Sequence, residues 1–424
     1  MKIGIFSQWF DPEPGPASLP GALARELSSR GHTVVVVTGV PNYPTGRILP
    51  GYKNRLVADS NANGVKIRRV GLIPSHSHSI VGRMMNYVSF AVTATLFGVQ
   101  ALKECDAVWA SNSPFTIAMP LLRLRRRFGV PVVLHVLDLW PDNMSSSGLI
   151  DDGRLNAWIS RFVHFVNQFA YRAADVVATI SPGVRKLLDS RGVPAQKIEF
   201  SPLWADESRL TPSDDDSYRG RLGTSADKVV ILYAGALGGT QSIDTLVKAF
   251  GLLNDAELNV ECWIAGSGTE EPRLRKLAED CGLGGSVRFL GRIPMEEISL
   301  VMASADVHYV GLTNDSLSEV TMPSKIQSSL AVGKPIVASV GGDVADLVRD
   351  SGVGFIAAPA DAEAVAEAVS IAARLGRDKL RKIGEKAREL YLDKFSLNAS
   401  GARIEALLET AIYRASAPDS KGSM

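Results

Sequence analysis

Cysteine is scarce in this chain of 424 residues. Cys105, Cys262 and Cys281 are odd in number and widely spaced, which argues against a disulfide framework or a zinc site and for reduced, mostly buried thiols. Net charge is nearly absent too: 46 Lys and Arg against 45 Asp and Glu leave +1, so no overall field points to nucleic acid, although local basic patches stay open. Long apolar runs are missing. The nearest to a membrane span is VSFAVTATLFGVQAL, Val88 to Leu102, short of the roughly eighteen residues a span needs. The chain opens on MKIGIF, a strand rather than the charged-then-apolar layout of a signal peptide, so a cytoplasmic protein is expected. No Ser–His–Asp set, Cys–His pair or metal cluster is identifiable.

What is present is alternation. Strand-like runs alternate with helical ones through both halves, the pattern of parallel sheets covered by helices on both faces. Strands are expected at Lys2–Phe6, Thr33–Thr38, Lys66–Val70, Ala107–Ala110, Val130–Val136, Val176–Ile180 and Ile198–Phe200. In the second half they are expected at Val229–Ala234, Val260–Ala265, Val287–Leu290, Val307–Tyr309, Pro335–Ser339 and Gly354–Ala357. Between the halves, Ala205 to Lys228 is rich in Asp, Ser and Pro and reads as a linker. From Ser396 onward, Ile404, Leu407, Leu408 and Ile412 fall at helical spacing, and 417–424 reads as disordered.

The most informative stretch is SEVTMPSKIQSSLAVGKPIVASV, Ser318 to Val340. Pro323 presets a helix first turn, Gly333 ends that helix, and an apolar strand follows. The helix N-terminus at Met322, Pro323, Ser324 and Lys325 joins free N–H groups, the helix dipole and an ammonium group, a combination suited to a diphosphate. Glu319 lies just upstream. Glycine turns follow other strands of the second half: Gly235, Gly238 and Gly239 before Gln241; Gly266 and Gly268; and Gly291, Arg292 and Ile293 in RFLGRIP.

These segments resemble the donor-sugar signature of GT-B fold, retaining glycosyltransferases of family 4. Within that family, the "mPSK…GKP" reading, VPNYPTGRILPGY (Val40 to Tyr52) and DLWP (Asp138 to Pro141) resemble the branch of O-antigen and capsule aminosugar transferases, N-acetylfucosamine-type. The resemblance implies two doubly wound Rossmann-like domains facing across a cleft. The acceptor-binding domain would span 1–206 and be joined by a C-terminal helix over 396–416 that crosses back to it; the donor-binding domain would span 212–395. It implies transfer of a sugar, an N-acetylated hexosamine or deoxyhexosamine, from a UDP-sugar to a polyprenyl-diphosphate-linked saccharide, with neither cofactor nor metal. Donor contacts would come from the second-half residues above, with Gly15 of the first turn facing the phosphates. Asp138, Glu319 and Lys325 would carry the chemistry, and Asn42, Tyr43, Trp140 and Asp142 would meet the acceptor. The family's second donor-site glutamate is missing: spacing from Glu319 lands on Gln327, and counting back from Gly333 lands on Ser328. Asp138 is preferred over His135 as the polar group nearest the reacting sugar, and His308 is expected to be structural.

Three stretches suggest a bilayer surface: Val88–Leu102; LLRLRRRF from Leu121 to Phe128; and Ala157–Arg172, where Trp158, Phe162, Phe165, Phe169 and Tyr171 interleave with Arg161, His164 and Arg172. They imply a cytoplasmic enzyme held peripherally at the inner face of the cytoplasmic membrane. Two other readings stay open, a UDP-sugar 2-epimerase on the same architecture and an inactive nucleotide-sugar-binding partner.

Overall fold

The computed structural model describes residues 1–75, 80–142, 154–253 and 258–417, with backbone alone at 154–157. The segment 143–149 after the DLWP motif and the tail 418–424 lie outside the described residues. The chain forms two compact units, Met1–Pro202 with Leu397–Met424, and Leu203–Ser396.

The first unit is built on β1 (Lys2–Phe6), β2 (Thr33–Gly39), β3 (Val57–Ala62), β4 (Val65–Val70), β5 (Ala107–Ser111), β6 (Val132–Val136), β7 (Val176–Thr179) and β8 (Ile198–Phe200). Their order is β3-β4-β2-β1-β5-β6-β7-β8, and every pairing except β3–β4 is parallel. The inner strands are apolar on both faces because helices cover both sides; Val34, Val36, Val37, Val132, Val133 and Leu134 are almost fully buried. Those helices include α1 (Leu19–Ser29), α2 (Ile80–Thr93), α3 (Ala118–Phe128), α4 (Arg154–Ala173) and α5 (Pro182–Ser190). The last helix, Leu397–Ser416, packs on α1 and the β5–β7 face, where the Arg30 guanidinium donates to the Asn398 carbonyl at 2.6 Å.

β3 was not expected. It folds back on β4 through Asn63 (φ 51°) and Gly64 (φ 80°), the two left-handed positions of a tight hairpin turn. The Asn-Gly pair is a direct hairpin signal, hidden because β3 itself is largely polar. A second difference concerns the membrane-span criterion. The helix started by α2 runs on to Leu102, and over Ile80–Leu102 it is long and apolar enough to cross a membrane by length and composition, with 39% of the window buried in the protein. Phe90, Ala94, Gly98 and Leu102 face the core, whereas Val81, Met85, Val88, Val92 and Leu96 are exposed.

The second unit has β9 (Val229–Ala234), β10 (Val260–Ala265), β11 (Val287–Gly291), β12 (Val307–Gly311), β13 (Ile336–Ser339) and β14 (Gly354–Ala357), all parallel in the order β11-β10-β9-β12-β13-β14. The winding reverses between β9 and β12, so the crevice outside their carboxyl ends is the natural ligand position. The stretch expected as a linker belongs to this unit. It carries α6 (Ser217–Leu222), whose Arg219 is buried and pairs with Asp306 while donating to the carbonyls of Ser304 and Lys228. Most of the stretch is exposed, and the buried Arg219 guanidinium ties it to the sheet.

Candidate functional site

In the second unit the loops after β9, β10, β11 and β12 converge at this switch point. Backbone hydrogen bonds lace three of them together: Gly235 N–H to Ala265 O (2.9 Å), Leu237 N–H to Ser267 O (3.0 Å) and Gly266 N–H to Gly291 O (2.7 Å). Glycine is required where they touch. A Cβ on Gly266 would lie 1.8 Å from the Gly235 carbonyl oxygen, and one on Gly268 would lie 2.3 Å from that of Leu237. At Gly238 and Gly239 an added Cβ would meet nothing within 4 Å, so these two present open backbone.

A short helix, α7 (Ile243–Leu252), leaves the first of these loops, and the helices α8 (Glu271–Asp280), α9 (Ile298–Ser304), α10 (Ser316–Val320) and α11 (Ser324–Ala331) follow in the chain. Pro323 is the N-cap of α11 and brings no side-chain oxygen to its first N–H groups. Met322, Ile326 and Leu330 are buried under the helix in one apolar cluster with Val310 and Ile336, which aims that N-terminus at the crevice. The Lys325 stem lies against Gly235, where a Cβ would come within 2.6 Å of Cε. Its ammonium sits 5.3 Å from the Tyr233 ring centroid and donates to Gln241 Oε1. Among the described residues it has no ion-pair partner. Burial without a counter-charge pulls its pKa down to about 8.

Glu319 lies exposed on α10, which Asp315 caps by accepting from the N–H groups of Leu317 (3.0 Å) and Ser318 (2.8 Å). The α10 backbone is pressed onto Gly342, the first residue of α12 (Gly342–Ser351): φ is 57° there, and a Cβ would lie 1.9 Å from the Glu319 carbonyl oxygen. Of the two candidate positions for the missing glutamate, Gln327 is buried, its Oε1 without a hydrogen-bond partner among the described residues, and Ser328 is half-buried. Arg292 is exposed just beyond β11, and Ile293 packs beside Trp263 and Leu290. His308 is fully buried between Ser329 Oγ (2.9 Å) and the Met302 carbonyl (3.1 Å), and burial depresses its pKa to about 3, so it is a neutral structural group.

In the first unit, the winding reverses between β1 and β5, and the remaining candidates gather at strand ends near that point. Gly15 opens a 3-10 turn with φ 65°. Two residues earlier, Glu13 is buried and accepts N–H groups from Phe10 (3.1 Å), Asn42 (2.8 Å) and Tyr43 (2.8 Å), tying the Val40–Tyr52 loop to the β1–α1 turn. Desolvation raises its pKa, opposed by those three bonds. Arg69 braces the same junction from the other side, donating to the Gly39 carbonyl at 3.3 Å and lying 5.1 Å from the Tyr52 ring centroid. The Asn42 side chain closes a buried amide chain: Asn42 Nδ2 donates to the Val40 carbonyl (3.0 Å), Asn86 Nδ2 to Asn42 Oδ1 (3.3 Å) and Gln8 Nε2 to Asn86 Oδ1 (2.5 Å).

After β6, Asp138 is held by the end of β5. Ser113 Oγ donates to its carboxylate, and Asn112 takes its N–H (3.1 Å) while donating to its carbonyl (2.7 Å). Trp140 packs against Tyr87 and Phe115 with centroids at 6.4 and 5.5 Å. Asp142 forms a bidentate pair with Arg191 at 2.7 and 2.8 Å, so its carboxylate is already committed within the protein. His135 is fully buried: the Trp109 indole N–H reaches Nδ1 (3.3 Å), leaving Nε2–H to donate to the Ser201 carbonyl (2.8 Å), and its pKa falls to about 4. Gln8, Glu13, Asn86, Asn112, Ser113 and Gly342 were not anticipated. The one available signal was Asn-Ser-Pro directly after an apolar strand; Glu13 and Gln8 sit in a turn where nothing local marks them as buried.

The description "Glycosyl transferases group 1" matches residues 214–390, and "Glycosyl transferase 4-like domain" matches 15–204. The chain carries the two domains of a GT-B glycosyltransferase. Among its relatives, WcaI of Escherichia coli K12, assigned by name to colanic acid biosynthesis as a glycosyl transferase, is 26% identical over 78% of this chain and 82% of its own length. WbjE of Pseudomonas aeruginosa, named as a glycosyltransferase, is 24% identical over 74% and 79%. Among solved structures, sucrose-phosphate synthase of Thermosynechococcus elongatus superposes with a TM-score of 0.73 at 19% identity, over 97% of this chain and 99% of that one. HepE of Anabaena, solved with UDP and glucose, has a TM-score of 0.67 at 18% identity, over 97% and 100%. These structures establish the fold of the glycosyltransferase.

Proposed function

We infer that the enzyme moves a sugar, an N-acetylated hexosamine or deoxyhexosamine, from a UDP-sugar to a polyprenyl-diphosphate-linked saccharide in bacterial surface polysaccharide assembly, with retention of anomeric configuration. The observation that carries this reading is Lys325, packed against Gly235 and the Tyr233 ring at a helix N-terminus and desolvated with no anion beside it among the described residues. A buried charge without a partner is costly, and a diphosphate supplies the missing one. In the reaction, charge grows on the leaving diphosphate, and Lys325, the α11 N-terminus and the open backbone at Gly238 and Gly239 offer fixed positive potential to receive it, a task that calls for no metal. Glu319 holds donor hydroxyls, Gln241 releases Lys325 to the phosphate, and Asp138 stands on the acceptor side. The colanic acid name of WcaI and the UDP bound to HepE support the pathway class and the nucleotide.

The same reading places the protein peripherally at the inner face of the cytoplasmic membrane. Val81, Met85, Val88 and Val92 on α2 and Trp158, Phe162 and Phe165 on α4 expose apolar side chains at helical spacing, and Arg123, Arg126, Arg127 and Arg161 are exposed on α3 and α4. Arg125 does not share that role, because it pairs with buried Asp175 at 2.7 Å, and Tyr171 is buried.

The test is nucleotide release from UDP-, GDP- and dTDP-sugars with and without a short polyprenyl-diphosphate-GlcNAc in detergent. Acceptor-dependent UDP release is the expected result. Binding of UDP-sugars without turnover under any acceptor would overturn transfer and leave a binding partner.

A further inference from the structure

The parallel pairing of β5 with β6 ends at Ser111 and His135, and one more ladder bond, Asn112 N–H to the His135 carbonyl (3.0 Å), closes it. Beyond that point β6 has lost β5, and its pairing with β7 runs only one residue further, to Val136 opposite Thr179, yet the chain stays ordered through Asp138. The reason is a side chain acting as backbone. Asn112 Oδ1 accepts the N–H groups of Leu137 (2.8 Å) and Asp138 (3.1 Å), and Asn112 Nδ2 donates to the Asp138 carbonyl (2.7 Å). One amide thus satisfies three backbone groups that a strand ladder would otherwise take, and it does so almost entirely buried.

The next residue acts on the side chain. Ser113, also buried, donates its hydroxyl to Asp138 Oδ2, a bond to a charged acceptor and therefore stronger than a neutral one. Two consecutive residues at the end of one strand therefore fix both the backbone and the carboxylate orientation of a single aspartate at the end of the next. Neither is needed to complete the sheet, whose pairing has already ended. Nor do they serve Asp142, which has its own partner in Arg191.

We propose that Asn112 and Ser113 are positioning residues for sugar transfer: Asn112 carries the chain of β6 beyond the end of its pairing with β5, and Ser113 sets which way the Asp138 carboxylate faces. The proposal rests on the reading of Asp138 as the acceptor-side group, and the experiment separates the two. Ser113→Ala, Ser113→Thr and Asp138→Asn are prepared in the full chain, and kcat and acceptor KM for UDP release are measured with polyprenyl-diphosphate-GlcNAc, alongside UDP affinity and Tm. Removing a hydrogen bond to a charged group corresponds to a loss of roughly 10- to 100-fold. Ser113→Ala is expected to lower kcat by about that factor, with UDP affinity unchanged, when assayed well below its Tm, and Ser113→Thr, which keeps the hydroxyl, is expected to recover most of it. A purely structural serine would lower Tm and leave kcat intact at that temperature, and a loss of kcat that the threonine variant does not recover would equally overturn the proposal. Full kcat in Ser113→Ala beside a slow Asp138→Asn overturns it while sparing the reading of Asp138. Full kcat in Asp138→Asn overturns both.

Discussion

At the scale of single residues, Lys325 sets stability against function. Its pKa of about 8 lies below the 10.5 of an exposed lysine, so between those values the unfolded chain binds more protons than the folded one. The empty enzyme is therefore expected to gain stability as pH rises from 8 toward 10.5, and Lys325 costs the fold up to about 3 kcal/mol at neutral pH. Replacing it by methionine, similar in length and uncharged, is expected to raise stability at pH 7 while weakening UDP affinity at least ~10-fold. Chemical denaturation together with calorimetric titration of UDP checks both, and unchanged UDP affinity would remove Lys325 from the phosphate site. UDP affinity of the native enzyme should also fall as pH climbs above 8, because the ammonium that meets the phosphate loses its proton.

At the scale of elements, the candidate residues of each unit sit on loops fastened to neighbouring loops and strand ends of that unit. Glu13 is the fastener in the first unit. Glu13→Ala would orphan three N–H groups, two of which belong to buried Asn42 and its neighbour Tyr43, at a cost of about 1–3 kcal/mol for each group that water does not reach. The expected outcome is a Tm lower by several degrees together with faster proteolysis within Val40–Tyr52; an unchanged Tm would show that the loop is held elsewhere. In the second unit the fastener is a close contact. Gly342→Ala puts a Cβ into the Glu319 carbonyl at a backbone angle alanine disfavours, so α10 must shift. That variant is expected to raise the KM for donor sugar while leaving UDP affinity within a few-fold, since Lys325 and α11 belong to a different element. Loss of both together would show that α10 and α11 move as one piece.

At the scale of the whole molecule, the exposed apolar stripes have no role in stability that the structure reveals. Trp158 and Phe162 are 70% and 63% exposed, so the double replacement by serine should leave Tm within a degree or so. If these side chains enter a bilayer, the same variant loses about 1.5–3 kcal/mol of burial per residue, and co-sedimentation with anionic vesicles falls sharply. Binding should also weaken with salt through Arg123, Arg126 and Arg127. Vesicle binding equal to that of the native protein would show that this face does not meet the membrane.

The sequence by itself determined the architecture: which segments are buried parallel strands, that two doubly wound halves follow one another, and that a proline-led helix with a lysine in its first turn stands beside the last strands. Those features are local or periodic, and apolar runs, glycine turns and helix caps announce themselves along the chain. Only the tertiary structure decided which polar residues serve one another. Asp142 turns to Arg191, Arg125 to Asp175, Arg219 to Asp306 and Ser113 to Asp138, each across 25 to 87 residues of chain. A carboxylate's use depends on what the fold brings within about 3 Å of it, and that distance is set by strand order rather than by spacing in the sequence.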